Sequence, residues 1–194
     1  MMKQALIALR VAVITLVLTG VFYPFVVTAL ARTLFSHRSS GSLVVDTSGR
    51  VVGSELIGQN FTRSAYFQPR PSAAGTGYDA LASGGSNLGT TSLKLRDRMT
   101  EDTARLIEQN PQASESVPAE LVMASGSGLD PHLSPEAALW QVPRVAEARK
   151  VAPERVRQIV ESRIEGRDLG LLGEPRVNVL ELNLALDSLF GSPY

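Results

Sequence analysis

The chain has 194 residues, no cysteine, 44% hydrophobic and 20% charged residues, and nineteen basic side chains that cancel nineteen acids. This balance lacks the clustered basic excess of a nucleic-acid binder, and the hydrophobic fraction excludes wholesale disorder. The zero is nonetheless a sum of two unlike pieces: before Asp46 there are only Lys3, Arg10, Arg32 and Arg38 and no acid, a charge of +4, and the remainder carries −4.

Between Arg10 and Arg32 lie 21 uncharged residues, VAVITLVLTGVFYPFVVTALA. As a helix at ~1.5 Å per residue they span roughly 30 Å, the thickness of a hydrocarbon core. A helix satisfies its own backbone, as lipid requires, and this run has no polar face to suit a soluble surface. A basic start and Ala29-Leu30-Ala31 also fit a cleaved signal peptide. The run exceeds the usual ~7–15 apolar residues of such a signal and carries aromatics and Pro24, which favours a retained anchor. Tyr23-Pro24 suits a kink or a contact with other helices. Lys3 and Arg10 on one side against Arg32 and Arg38 on the other give a slight preference for a cytoplasmic N-terminus. Residues 1–35 therefore read as a membrane anchor and 36–194 as a small soluble α+β domain.

Within that domain, Leu43–Val45 and Val51–Val52 form two short strands around the turn at Asp46–Arg50. From Gly58 to Leu88 glycines and prolines punctuate a long loop, and Phe61, Tyr66, Phe67 and Tyr78 within it predict that it is packed. Leu95, Met99, Leu106 and Ile107 give a helical stripe over 92–109, stopped by Pro111. Glu120–Ala124 reads as a short buried strand. Ser134-Pro135-Glu136 starts a helix that Pro143 breaks or restarts. Pro153 opens another, ending at Gly166, with Val156, Ile159, Val160 and Ile164 on one face. Asn178 and Glu181 form a capping box before the apolar run Val179–Phe190.

The chemistry is sparse. The three lysines, Lys3, Lys94 and Lys150, follow no phosphate-binding glycine loop, and no Asp precedes a Lys-Thr-Gly, so neither a conventional nor a phosphorylated-aspartate ATPase engine is encoded. His37 and His132 stand far apart without cysteines, which argues against zinc or another metal centre. Ser83, Gly84, Gly85 and Ser86 form a loop whose N–H groups could converge on an anion, and Ser-Gly-Gly resembles a nucleotide-contacting signature of another ATPase class. The same residues also describe a tight turn held by Ser and Asn side chains, the reading the sequence favours. Ser127, Asp130 and His132 invite a membrane-anchored hydrolase reading, but the G-x-S-x-G elbow is absent and adjacency does not make a triad. Arg70 can stack on aromatics, pair with a carboxylate or be a plain surface arginine; Arg144 and Arg149 lie near a helix break, and a solvated face explains them equally well.

Long motifs then become recognisable: YP at 23–24 with VT at 27–28, GSELIGQNF at 53–61, YF-x-x-RPS from Tyr66 and GYDA at 77–80. SGGSNLG at 83–89, ASGSGLDPHLS at 124–134, QVPRVAEAR at 141–149 and GEPRVNVLELN at 173–183 follow. In this order they resemble the C subunit of the bacterial Kdp-type potassium-transporting ATPase over nearly the whole chain. The resemblance implies a non-catalytic subunit of an inner-membrane pump, with one N-terminal helix and a soluble domain, needed for assembly and activity. It implies as partners a potassium-translocating subunit, an ATP-hydrolysing subunit and a small membrane subunit. It also implies a catalytic-chaperone role, raising ATP affinity, with Ser83–Ser86 as the candidate nucleotide contact. A cytoplasmic N-terminus would put the soluble domain outside, where ATP is scarce, so topology and direct ATP contact conflict.

Overall fold

A computed structural model describes residues 1–46, 49–113 and 116–193. Thr47 and Ser48, in the turn expected at Asp46–Arg50, lie outside the described residues. Two compact units are present, Met1–Val52 and Gly53–Tyr194.

The first unit is dominated by an apolar helical stretch over Met2–Leu34, none of it buried. It comprises α1 (Met2–Val17), a π turn at Leu18–Phe22 and α2 (Tyr23–Leu34). Pro24 lacks an N–H and its ring crowds the carbonyl four residues back. The chain answers by widening one turn: the Tyr23 N–H donates to the Leu18 carbonyl, five residues back, and the helix continues through the proline. Thr19 Oγ1 donates to the Thr15 carbonyl at 2.8 Å and Thr33 Oγ1 to the Ala29 carbonyl at 3.0 Å, so these hydroxyls need no water. After the short α3 (Ser36–Ser39), β1 (Leu43–Val45) pairs with β2 (Val51–Ser54) as the sequence pattern requires. Asp46 accepts from the Arg50 backbone N–H at 3.0 Å and pairs with its guanidinium at 2.9 Å.

The second unit contains helices around one apolar core and a two-stranded sheet. The helices are α4 (Leu93–Gln109), α5 (Pro135–Trp140), α6 (Val142–Arg149), α7 (Pro153–Ser162) and α8 (Val179–Phe190). Core side chains come from all of them, with Val156 and Val160 of α7 and Leu182 and Leu186 of α8 fully buried. β3 (His132–Leu133) pairs antiparallel with β4 (Val177–Asn178), His132 opposite Asn178 and Leu133 opposite Val177. Each strand runs directly into a capped helix. Ser134 Oγ accepts from the Ala137 N–H of α5, and Asn178 Oδ1 accepts from the Glu181 N–H of α8. The sheet thus sets two helix N-termini side by side.

Three local expectations give way. Glu120–Ala124 is no strand: a 3-10 turn over Ala119–Leu121 buries Leu121 and aims Glu120 at Ser134, whose N–H and hydroxyl donate to Glu120 Oε1 at 2.8 and 2.6 Å. α7 stops at Ser162 rather than Gly166, because the chain turns there into the Glu165–Arg176 bridge. Of the α4 stripe only Leu106 is buried; Met99 packs at the core's edge and Ile107 is exposed. The long loop after Gly58 is packed as expected, with Ala65, Phe67 and Ala74 buried.

Candidate functional site

The loop from residue 64 to 68 has no strand or helix partner, so its buried backbone groups must be met by side chains. Asn183, on the buried face of α8, accepts from the Phe67 N–H at 2.8 Å and donates to the Phe67 carbonyl at 3.0 Å. Gln141, between α5 and α6, does the same for the next residue: its Oε1 accepts from the Gln68 N–H at 2.8 Å and its Nε2 donates to the Gln68 carbonyl at 3.0 Å. Each amide mimics one rung of a β-ladder. Arg144 Nη1 donates to the Ser64 carbonyl at 2.7 Å, and its Nη2 to the Tyr66 carbonyl at 3.1 Å and Gln141 Oε1 at 2.7 Å. The oxygens meeting this guanidinium are thus carbonyls, and burial pushes its pKa down to about 10.

Arg149, one turn further, completes the clamp. Its Nε donates to the Ala65 carbonyl at 2.7 Å, Nη1 to the Gly191 carbonyl at 2.9 Å and Nη2 to Asp187 Oδ1 at 2.7 Å. The guanidinium lies 5.0 Å from the Tyr66 ring centre, and the Tyr66 hydroxyl donates to Asp187 Oδ2 at 2.8 Å. With side-chain exposures of 3% for Arg149 and 25% for Asp187, this pair is largely withdrawn from water. The solvated-face explanation of Arg144 and Arg149 is therefore wrong: both turn inward because the loop backbone there has no other donors.

A second structure joins the two glycine-rich loops. Ser72 Oγ donates to the Gly128 carbonyl at 2.6 Å and accepts from the Ala74 and Tyr78 N–H groups at 3.1 and 2.7 Å. The Ser83 hydroxyl and the Gly84 N–H both donate to the Ser127 carbonyl, at 3.0 and 2.8 Å. Gly128 stands at φ +68°, where a Cβ would lie 2.6 Å from Ala74 N and 2.7 Å from the Gly84 carbonyl, so the approach requires glycine. Tyr78 donates its hydroxyl to the Arg70 carbonyl at 2.6 Å, and burial pushes its pKa up to about 12. Arg70 reaches Asp130 at 3.1 Å, the carboxylate pairing that its sequence context allowed. Burial raises the Asp130 carboxyl, but His132, with its N–H at 3.0 Å and Nδ1 at 3.7 Å, and the Arg70 charge lower it further, so it stays below the ordinary value.

The structure brings Asp130 to His132 and Arg70, but Ser127 Oγ accepts from the Leu129 N–H at 3.1 Å and makes no bond to His132 among the described residues. Ser83 and Gly84 are held by Ser127, while Gly85 and Ser86 are half-buried beside them. Among the described residues no group of three or more His, Cys, Asp or Glu could hold a metal ion. Sequence reasoning missed Gln141, Asn183 and Asp187 as the groups that hold this loop and its arginine. Asn183 had a signal, a carboxamide on the apolar face between Leu182 and Leu186, whereas the partners of Gln141 lie 73 residues away.

A family model described as K+-transporting ATPase, c chain, KdpC, matches residues 5–188. A Myxococcus xanthus protein named potassium-transporting ATPase KdpC subunit is 62% identical over 191 residues, covering 98% of this chain and 90% of that one. A protein of the same name from Methylobacterium nodulans is 53% identical, covering 90% and 91%, and one from Rhodopseudomonas palustris is 50% identical, covering 97% and 98%. With the apolar N-terminal helix and the two clamped loops in place, the chain belongs to the KdpC family, the c chain of the K+-transporting ATPase.

Proposed function

We propose that this chain is a membrane-anchored, non-catalytic subunit of an ATP-driven potassium pump, needed for the pump's assembly and activity. The observation that carries this reading is the c-chain family match over residues 5–188. The clamp supports it: the charged side chains Arg144, Arg149 and Asp187 hold backbone and one another, which suits a rigid binding scaffold. The partners in this reading are the potassium-translocating and ATP-hydrolysing subunits and a small membrane subunit, with the Met2–Leu34 helix in the bilayer. Restoring the chain to a strain lacking it alone restores growth at limiting potassium. Growth of that strain without the chain, with no other potassium uptake system present, overturns the proposal.

The soluble unit, in this proposal, faces outward, over the potassium-translocating subunit, and acts through assembly or by shaping ion access. Its −4 charge suits a cation-attracting surface, although a modest one. The chain has no native cysteine, so Leu81→Cys, at a 98% exposed position, gives a single label site. An impermeant maleimide labels it in intact cells. Labelling only after the membrane is permeabilised contradicts the outward placement. Direct contact of ATP with Ser83, Gly84, Gly85 and Ser86, which would support a chaperone role, is the second reading. Gly85 and Ser86 are half-buried, and Ser83 and Gly84 already serve Ser127. ATP binding to the chain that disappears in Ser86→Pro would favour it; binding unaffected by that change removes the assignment.

A further inference from the structure

The helix over Met2–Leu34 continues through Pro24, but it does so with one donor missing. The Thr19 carbonyl would accept from the N–H four residues on, at Tyr23, or in a π turn from the N–H five on, at residue 24. The Tyr23 N–H donates to the Leu18 carbonyl, and Pro24 has no N–H. The Thr19 carbonyl is therefore left without a main-chain donor. The Gly20 carbonyl loses its usual donor to the same proline and is left with the N–H of Phe25. The Thr19 hydroxyl does not make up the difference, because it donates to the Thr15 carbonyl at 2.8 Å, one turn back.

Tyr23 adds a second polar group at the same place. Helical side chains lean toward the N-terminus, so its phenol leans over the turn that holds Thr19. Tyr23 is 65% exposed, and among the described residues its hydroxyl has no hydrogen-bond partner. Gly20 keeps the backbone open beside them: the nearest side-chain atom to an added Cβ would be Leu16 Cδ1, at 3.8 Å. Both groups lie deep. Thr19 stands roughly 14 Å along a helix from Arg10 and roughly 20 Å from Arg32. With this helix in the bilayer, that is the hydrocarbon interior, where neither lipid tails nor water supply a donor.

We propose that the Thr19 carbonyl and the Tyr23 hydroxyl form a polar docking site inside the membrane. Its occupant is a neutral donor–acceptor side chain (Asn, Gln, Ser or Thr) on a transmembrane helix of a companion subunit. This rests on the reading above of Met2–Leu34 as the bilayer helix of a pump subunit. The chemistry selects that occupant. The carbonyl requires a donor, and the phenol can donate or accept, so one carboxamide or hydroxyl meets both. A charged donor is costly at this depth. A second copy of this chain fits less well. Symmetric helix pairs approach closely through small residues four apart, and the residues four either side of Gly20 are Leu16 and Pro24.

The test reads that carbonyl directly in the full chain by solid-state magnetic resonance. Threonine labelled with carbon-13 at its carbonyl, together with nitrogen-15 glycine, marks only the Thr–Gly bonds, Thr19–Gly20 and Thr76–Gly77. Thr76 is exposed, so Thr76→Ser leaves Thr19–Gly20 the only such bond. In lipid at low chain density the Thr19 carbonyl resonance lies upfield of hydrogen-bonded helical carbonyls, and in the assembled pump it moves downfield. An unchanged resonance on assembly overturns the proposal. A downfield position in the chain alone overturns it too, in favour of solvent if the carbonyl shows a cross-peak to water, and of a second copy if the position depends on chain density. Pro24→Ala is the functional arm, and it does not endanger the helix because it restores the N–H. The Tyr23 N–H then turns to the Thr19 carbonyl, and the companion helix loses its acceptor. Recovery of companion subunits through a tag on this chain falls roughly threefold to tenfold, the effect of one hydrogen bond within a membrane. Parental recovery by this variant overturns the proposal. If the wild-type chain is released from membranes by carbonate, or recovers no companions, the pump-subunit reading fails instead.

Discussion

Asn183→Asp isolates the clamp with the exchange of one heavy atom, Nδ2 for an oxygen. Asn183 is 1% exposed and Phe67 is fully buried, so water reaches neither partner readily. The ionised carboxylate still accepts from the Phe67 N–H but has no proton for the Phe67 carbonyl, which sits 3.0 Å from the present Nδ2. The variant thus loses one donor, leaves one buried carbonyl unpaired, at about 1–3 kcal/mol, and buries a charge, which adds further cost. A total of about 3–5 kcal/mol corresponds to roughly 8–16 °C in the melting midpoint of a unit this size. The carboxyl relieves the penalty by taking a proton, so its folded pKa rises above the unfolded value of about 3.9. A raised folded pKa gives a contribution that is present below the unfolded value and lost as pH rises through the folded one. The melting midpoint relative to wild type, followed by circular dichroism of the full chain in detergent, is therefore lowest at pH 8 and recovers toward pH 5. A pH-independent difference, or a loss below about 1 kcal/mol at pH 8, refutes the claim that Asn183 holds the strap through paired hydrogen bonds.

Other consequences are as direct. Gly128→Ala forces a Cβ against Ala74 N and the Gly84 carbonyl in a left-handed residue, and lowers stability by about 2–4 kcal/mol in urea unfolding. Tyr78→Phe removes the hydrogen bond to the Arg70 carbonyl for about 1 kcal/mol, and the ultraviolet titration loses one tyrosine whose ionisation burial pushes above the ordinary value of 10.0. The lowered pKa of Asp130 stabilises the fold above the ordinary aspartate value of 3.8, a contribution lost as pH falls through the lower folded value. Asp130→Asn accordingly flattens the acid limb of the stability–pH curve while leaving the alkaline limb in place.

The apolar N-terminal helix, the later helices and their caps were legible because each rests on local rules. An uncharged run of membrane length, Ser92, Ser134 and Asn178 at helix starts, and β-branched pairs around a turn announce themselves within a few residues. Even Pro24 showed where the helix would be disturbed, although local chemistry does not say whether a proline kinks a helix or widens one turn. The clamp was not legible, because its partners are distant: Arg149 meets Ala65 across 84 residues and Asn183 meets Phe67 across 116. Arg144 and Arg149 looked like surface cations since nothing in QVPRVAEAR reveals a carbonyl-lined strap waiting above α6. Glu120–Ala124 failed for a related reason. An apolar run of this length fits a strand or a buried turn, and the Glu120–Ser134 bonds that decide between them are not local. The Ser-Gly-Gly loop shows the limit from the other side, since its composition allowed a nest or a turn and the Ser127 carbonyl engages two of its donors.

The most direct test of the account is potassium-stimulated ATP hydrolysis by the pump purified with and without this chain. The account predicts that the remaining subunits, made without it, assemble poorly and lose potassium-stimulated hydrolysis, and that supplying the chain restores both. Full assembly and full potassium-stimulated hydrolysis in its absence would contradict it.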